Sequence, residues 1–359
     1  MKFSFLSFGE LATNPYTGHT PTPQERLGAV VDAAVLAEEL GHDGFGVGEH
    51  HGQDFWSLST PPVVLGAIAA RTSRIRLRTG VTVLPNLDPV RVAEDYATVD
   101  ALSGGRVELT IGKGNFPQPW ELFGQDQEEQ RERLVEGVDL LRQIWSADGL
   151  VNWSGRFRPP LVDASIGPRP TQTPPPIWWG VSTAPWSVEF AAERGLPIVL
   201  GGVVQSKEHY GSLADHYREQ YAAHGHDPAS MHIGTVSNVY VRRDGERARK
   251  EFQPYYEAVT KDMRLALRQG YMLPNDYQER LRGPLVVGNP EEVASKLLDF
   301  HARYGHDLQF VQTDLGGQPF REVAETMELF TAEVIPIIER ELAASPVSDR
   351  SAEHAEVAR

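Results

Sequence analysis

The segment Gly44-Phe-Gly-Val-Gly-Glu-His-His51 begins as a short apolar strand and ends in a carboxylate and two imidazoles. Side chains alternate faces along a strand, so an extended trace puts Glu49 and His51 on one side and His50 on the other. At least one imidazole then projects from the C-terminal end of the strand, where α/β sheets carry their chemistry. An imidazole in that position can move a proton near neutral pH. A pair of partly solvated histidines at a strand-to-loop turn has the same local sequence, so the rest of the chain must decide.

Other strand ends add to the inventory. They are Ser7-Phe-Gly-Glu10, Val83-Leu-Pro-Asn86, Gly112-Lys-Gly-Asn115, Trp179-Gly-Val-Ser-Thr183, Gly201-Gly202 and Thr313-Asp-Leu-Gly-Gly317. Their glycines let a ligand approach the backbone closely. Ser182, Thr183 and Ser187 flank the start of a helix, and a helix N-terminus with hydroxyls is a ready anion site. Lys113, set between Gly112 and Gly114 and followed by Asn115, adds positive charge; together these residues suggest a phosphate pocket. Taken singly, each hydroxyl is better explained by simple N-capping. Trp120, Trp178, Trp179 and Phe116 lie near the same rim, and together they could wall a flat aromatic ligand; taken singly, each reads as core.

Competing chemistries are weaker. His50 or His51 with Glu49 and Asp314 could hold a metal, as in barrel hydrolases. Adjacent strand residues diverge, however, and there is no HxH pair. No GxSxG elbow marks a serine nucleophile. The glycines around Lys113 continue as Asn-Phe-Pro and not into a helix, so they are no dinucleotide fingerprint.

The elements that must position these residues alternate along almost the whole chain. Strands are expected at residues 3–8, 45–48, 75–84, 107–111, 177–179, 197–200, 232–241 and 308–312, each followed by a helix-like segment. Eight strand-helix repeats in 359 residues favour a closed (β/α)8 TIM barrel over a doubly wound sheet. Residues 1–343 read as one domain with two insertions. Residues 150–176 are Pro-rich and read as a hairpin and loop; residues 257–284 mix charge, Gly and Pro and read as a long loop, a candidate lid. The polar tail, residues 344–359, reads as disordered.

Composition bounds the function. A net charge of -15 argues against nucleic acid or an anionic membrane as partner. With no cysteine there are no disulfides and no thiolate sites. The N-terminus has no signal-peptide pattern and no stretch is long enough to span a membrane, so a cytoplasmic protein is expected.

Several ordered motifs resemble the bacterial-luciferase-like flavin monooxygenases. They are the opening MKFSFLSF, Gly48-Glu-His-His51, Val83-Leu-Pro-Asn-Leu-Asp-Pro-Val-Arg-Val-Ala-Glu-Asp95, Ser103-Gly-Gly-Arg-Val-Glu-Leu109 leading into Gly112-Lys-Gly114, Leu122-Phe-Gly124, Ala191-Ala-Glu-Arg-Gly-Leu-Pro197 and Val287-Gly-Asn-Pro-Glu-Glu-Val293. The resemblance runs to about residue 340 and implies a (β/α)8 barrel enzyme. Such an enzyme uses reduced FMN and O2, through a flavin C4a-peroxide, to oxygenate an apolar or aromatic small molecule. It implies a separate NAD(P)H:flavin reductase as the source of reduced FMN, a homodimer, and the deazaflavin F420 as the alternative cofactor. By motif, His50 matches the catalytic histidine beside the flavin ring, with Glu49 next to it, and Gly80 and Val81 match the backbone against the isoalloxazine. Lys113 stands where most relatives place a phosphate-binding arginine, and it lacks the bidentate fork. The Ala184-Pro185 spacing shifts the hydroxyls of Ser182, Thr183 and Ser187, leaving open which one meets the phosphate. An F420-dependent oxidoreductase, a non-catalytic flavin-binding protein and a metal-dependent barrel hydrolase are the other readings.

Overall fold

The computed structural model describes residues 1–266 and 276–344. Short apolar runs bounded by Gly, Pro and Asp form the strands β1 (Lys2–Ser7), β2 (Gly44–Val47), β3 (Arg76–Thr79), β4 (Thr82–Val83), β5 (Val107–Gly112), β6 (Val151–Trp153), β7 (Leu161–Ala164), β8 (Ile177–Val181), β9 (Ile198–Leu200), β10 (Ile233–Val241), β11 (Val286–Gly288) and β12 (Leu308–Gln312). Eight of them close a parallel ring in the order β1-β2-β3-β5-β8-β9-β10-β12, with β12 pairing back onto β1. Closure removes the open edges of a doubly wound sheet, so the fold is the (β/α)8 barrel. The strand β11 extends the end of β10, and β6 with β7 makes an antiparallel hairpin outside the ring.

The helices are α1 (Pro23–Glu39), α2 (Pro61–Arg71), α3 (Pro89–Ser103), α4 (Gln118–Leu122), α5 (Gln130–Ser146), α6 (Pro185–Glu193), α7 (Lys207–Ala223), α8 (Gly245–Ala266), α9 (Tyr277–Arg282), α10 (Pro290–Tyr304), α11 (Phe320–Leu329) and α12 (Ile335–Ala344). Local chemistry sets several boundaries. Capping boxes at Thr22 with Glu25 and at Asn289 with Glu292 start α1 and α10. Gly104 and Gly305, at φ +70° and +62°, end α3 and α10 in the left-handed conformation.

Alternation along the strands builds two apolar layers. Phe5, Phe45, Leu77, Leu109 and Ile111 face outward and pack with Val30, Leu65, Ile68 and Tyr96 of the helices. Leu6, Val199, Val236 and Phe310 face inward and fill the barrel axis. That inner layer becomes the floor of the site.

Two local expectations change. The single strand read over residues 75–84 is broken: β3 pairs with β5 as far as Arg78 opposite Glu108 and β4 rejoins it at Thr82 opposite Ile111, so four steps on one side span three on the other. The extra residue is a bulge that turns Gly80 and Val81 out of the ladder. The expected loop from residue 257 is helical as far as Ala266, because α8 continues past Pro254. Phe252, Tyr255 and Tyr256 on its apolar face pack on Tyr240, Tyr277 and Leu285, and this burial outweighs the proline. Residues 267–275 of the expected lid, and 345–359 of the tail, lie outside the described residues.

Candidate active site

The C-terminal strand ends surround a cavity holding about 1900 Å³ of empty space, its open mouth included. Its lining contains Glu49, His50, Gly80, Val81, Lys113, Gly114, Asn115, Ser182, Thr183 and Ser187, so residues up to 138 apart in sequence meet in one place.

The strand β2 ends at Val47 and the chain then carries three functional side chains into the cavity. Glu49 is buried; its Oε1 lies 2.9 Å from His51 Nε2 and its Oε2 accepts from the Val83 amide at 3.3 Å. The shared side of Glu49 and His51 is thus the one alternation requires. His50 is wedged among aromatic rings. It stacks on Trp56 at 3.9 Å between centroids and 11° between planes, and Phe8 and Phe116 close it in at 5.8 and 5.5 Å. Burial, and secondarily His51, push its pKa down to about 3. The aromatic cage solvates an imidazolium poorly, so this setting favours the neutral ring over the near-neutral proton shuttle expected of His50. Its Nδ1 is buried without a hydrogen-bond partner, a vacant position for a ligand contact.

Gly80, Gly112 and Gly180 also line the cavity, packed against neighbouring side chains. A Cβ on Gly112 would sit 2.9 Å from Val81 Cγ2, and one on Gly180 3.1 Å from Val81 Cγ1. Both glycines thereby make room for Val81, whose backbone leaves the ladder at the bulge. The adjacent strands β5 and β8 run side by side, with Ile111 opposite Trp179, and deliver Lys113 and Ser182 to the same rim. Lys113 has no ion-pair partner among the described residues, and burial lowers its pKa below the usual lysine value. The helix α6 starts at that rim with Ala184 as its N-cap and no side chain capping its first turn. Ser182 and Thr183 are thus not capping residues. Ser187 is committed elsewhere: its Oγ accepts from Trp179 Nε1 at 2.7 Å and is buried.

A sequence profile of the luciferase-like monooxygenases matches residues 1–307. The chain belongs to that family. The oxygenase component of a flavin-dependent trigonelline monooxygenase from Acinetobacter baylyi is 25% identical over 333 residues, 88% of this chain and 91% of the relative. The monooxygenase RslO1 of Streptomyces bottropensis superimposes with a TM-score of 0.85 at 27% identity, over 94% of this chain and 99% of that one. An F420-dependent glucose-6-phosphate dehydrogenase from Amycolatopsis mediterranei is 36% identical over 160 residues, 42% of this chain and 46% of the relative. Other curated relatives of this luciferase-like monooxygenase are also named monooxygenases, and among the described residues no helix is long and apolar enough to cross a membrane.

In this luciferase-like monooxygenase the aromatic wall differs from expectation. Of the four rim aromatics only Phe116 lines the cavity. Trp179 and Trp120 are buried, Trp179 beneath α6, and Trp178 packs with the inner layer. Phe8, Trp56, Trp186 and Phe310 take their place. A metal set of Glu49, a histidine and Asp314 does not assemble, because Asp314 is bonded to Arg26 at 2.6 Å and Glu49 to His51. Among the described residues no three His, Asp or Glu side chains converge as ligands. Cavity residues that the sequence did not single out are Glu10, Asn238, Gln312 and Arg280. Arg280 donates to the carbonyls of Val203 and Val204 and keeps a buried, unpartnered Nε. Glu10 was visible only as a strand-end residue; its partners are Arg26, 16 positions away, and Gln312, 302 positions away in the chain.

Proposed function

We propose that this protein is the oxygenase of a two-component system: it binds reduced FMN from a separate NAD(P)H:flavin reductase and uses O2 to oxygenate an apolar or aromatic small molecule. The observation that carries this is the pairing, in one cavity, of a glycine-rich wall around Val81 with Lys113, which has no ion-pair partner among the described residues, beside the uncapped start of α6. A flat ring needs the first, and a phosphate needs the second.

The residues fit the cofactor. Lys113, the hydroxyls of Ser182 and Thr183 and the α6 N-terminus hold the phosphate, with Gly114 and Asn115 completing the turn. Ser187 anchors that turn through Trp179. The backbone of Gly80 and Val81 would lie against the ring. Reduced FMN, when bound, supplies electrons and oxygen activation. The chain's own part is to exclude water with Phe8, Trp56 and Phe116, and to present His50 as a neutral hydrogen-bonding group. Glu49 acts behind it by fixing His51 and the Val83 amide. Apolar walls in most of the remaining space suit an apolar or aromatic substrate.

Reduced F420 is the second reading, favoured by the similarity to the F420-dependent dehydrogenase. Anaerobic titration with each reduced cofactor separates the two. Micromolar or tighter affinity for reduced FMN, with substrate-dependent NADH and O2 consumption when a flavin reductase is added, is the expected result. Exclusive binding of reduced F420, or no oxygen use, would refute the monooxygenase reading.

A further inference from the structure

Across the barrel from the phosphate end, the cavity has a second polar region. Glu10 follows β1 and Gln312 ends the adjacent β12, whereas β8, which leads to Ser182, lies four steps round the ring from β1. Glu10 Oε1 accepts from Gln312 Nε2 at 3.3 Å, and Gln312 Oε1 accepts from Asn238 Nδ2 at 3.1 Å. All three residues line the cavity, and Leu6, Val236, Val259, Phe310 and Leu315 around them are apolar. A few polar groups set among apolar walls fix the orientation of whatever enters a cavity.

The charge behind the corner is unbalanced. Arg26 on α1 reaches Asp314 Oδ2 at 2.6 Å but Glu10 Oε2 only at 3.4 Å. Ser7 Oγ donates to the same Asp314 oxygen at 2.5 Å. Two carboxylates thus face one guanidinium, and Asp314 takes the larger share. Arg26 and Asp314 are the charged groups that face Glu10; Gln312 and Ser7 are neutral.

We propose that Glu10, oriented by Gln312 and Asn238, is the substrate-binding acceptor of this cavity, and that it takes a hydrogen bond and then the proton from the hydroxyl of an apolar, phenol-like aromatic substrate. The substrate O–H bond breaks and a Glu10 O–H bond forms. The substrate is left as an oxyanion that feeds electron density into its ring, and the net charge of the pair is unchanged. Burial, then the Asp314 charge, raise the Glu10 pKa to about 7 against the pull of Arg26, so base and acid forms are both accessible near neutral pH. This inference rests on reading the cavity as the flavin and substrate site.

The test uses two fluorescent probes of matched shape, 2-naphthol and 2-methoxynaphthalene, on the full-length protein. At pH 8 the wild type should hold the hydroxylated probe at least tenfold tighter than its ether. That preference should fall several-fold on going to pH 6, as Glu10 becomes protonated. Glu10→Gln should reduce the preference to within about threefold and remove its pH dependence, while reduced-FMN affinity stays within about twofold. Gln312→Met removes the donor that orients Glu10 and should move the preference the same way, which covers a Glu10→Gln protein that does not fold. Equal affinity of the wild type for the two probes overturns the proposal, as does a preference that survives in these variants. Val236→Trp, which fills the chamber, should abolish binding of both probes. If both still bind to it, the cavity reading itself fails and takes the proposal with it.

Discussion

His50 and Glu10 follow the neighbouring strands β2 and β1, His50 stacked on the Trp56 ring and Glu10 bridged to the Trp56 backbone, and both are driven toward their neutral forms. The consequences are opposite. For His50 the neutral form is the deprotonated one, and burial in the aromatic cage moves its pKa from the ordinary 6.5 to about 3. For Glu10 the neutral form is the protonated one, and burial beside Asp314 moves its pKa from 4.5 to about 7. One physical effect removes the histidine from the physiological range and brings the carboxyl into it. Burial thus disfavours charge on the residue type that ordinarily titrates near neutrality and moves an ordinarily ionised carboxyl toward that range.

The most severe way to break this contrast is His50→Ala. If the neutral ring acts by hydrogen bonding to what is bound in the cavity, product formation should fall by about 10²–10³-fold. Reduced-FMN affinity should stay within about a few-fold, and hydrogen peroxide released per NADH consumed should rise. Single-turnover product yield against peroxide yield measures this; coupled turnover at the normal rate would make His50 structural.

A smaller effect separates binding from chemistry. Lys113→Ala deletes a charge on the far side of the barrel and should weaken reduced-FMN binding by about tenfold or more, in line with about 1.5–3 kcal/mol for a hydrogen bond to a charged group. Yield at saturating flavin should be nearly unchanged. Stopped-flow titration checks both, and unaltered affinity would displace the phosphate from this end.

Stability against pH sharpens the comparison by sign. Below pH 6.5 the unfolded chain binds protons that His50, His42 and His306, with folded pKa values of about 3, 4 and 3, refuse; stability is lost as pH falls from 6.5 toward 4. For Glu10 the folded state keeps the proton longer, so its stabilisation is present below pH 4.5 and is lost as pH rises toward 7. Each contributes at most about 1.4 kcal/mol per pH unit within its window. Thermal melts from pH 4 to 8 should show His306→Gln flattening the acid limb and Glu10→Gln flattening the limb from 4.5 to 7. The opposite assignment of limbs would refute the argument. Last and smallest, Trp56→Ala should admit water to the cage and raise the His50 pKa by about one unit, readable by NMR titration.

Much of the barrel was legible because its signals are local. Strand-helix alternation, proline at helix starts and glycine at helix ends mark boundaries within a few residues of themselves. The strand-end rule then collects Glu49, His50, Lys113 and Ser182 into one cavity without any knowledge of contacts. Failures occurred where a distant partner decides. The apolar face of α8 carries the helix through Pro254 and on to Ala266, because Tyr240, Tyr277 and Leu285 are there to receive it. Trp178, Trp179 and Trp120 looked like a rim, yet strand register and the Trp179–Ser187 bond turn them into packing. The bulge at Gly80 became visible only through the register of β3 and β4 on β5.

By itself the sequence determined the closed α/β barrel, the family and the strand ends that carry chemistry, since residue type, spacing and backbone preference are properties of short segments. Tertiary structure alone decided the charge states. His50 is neutral because Trp56, Phe8 and Phe116 converge on it from other segments. Burial first, and then Asp314 from the other end of the chain, push the Glu10 pKa up to about 7 against the pull of Arg26. Desolvation and Coulomb energy depend on what surrounds a group in space, and that is settled only when the ring of strands closes.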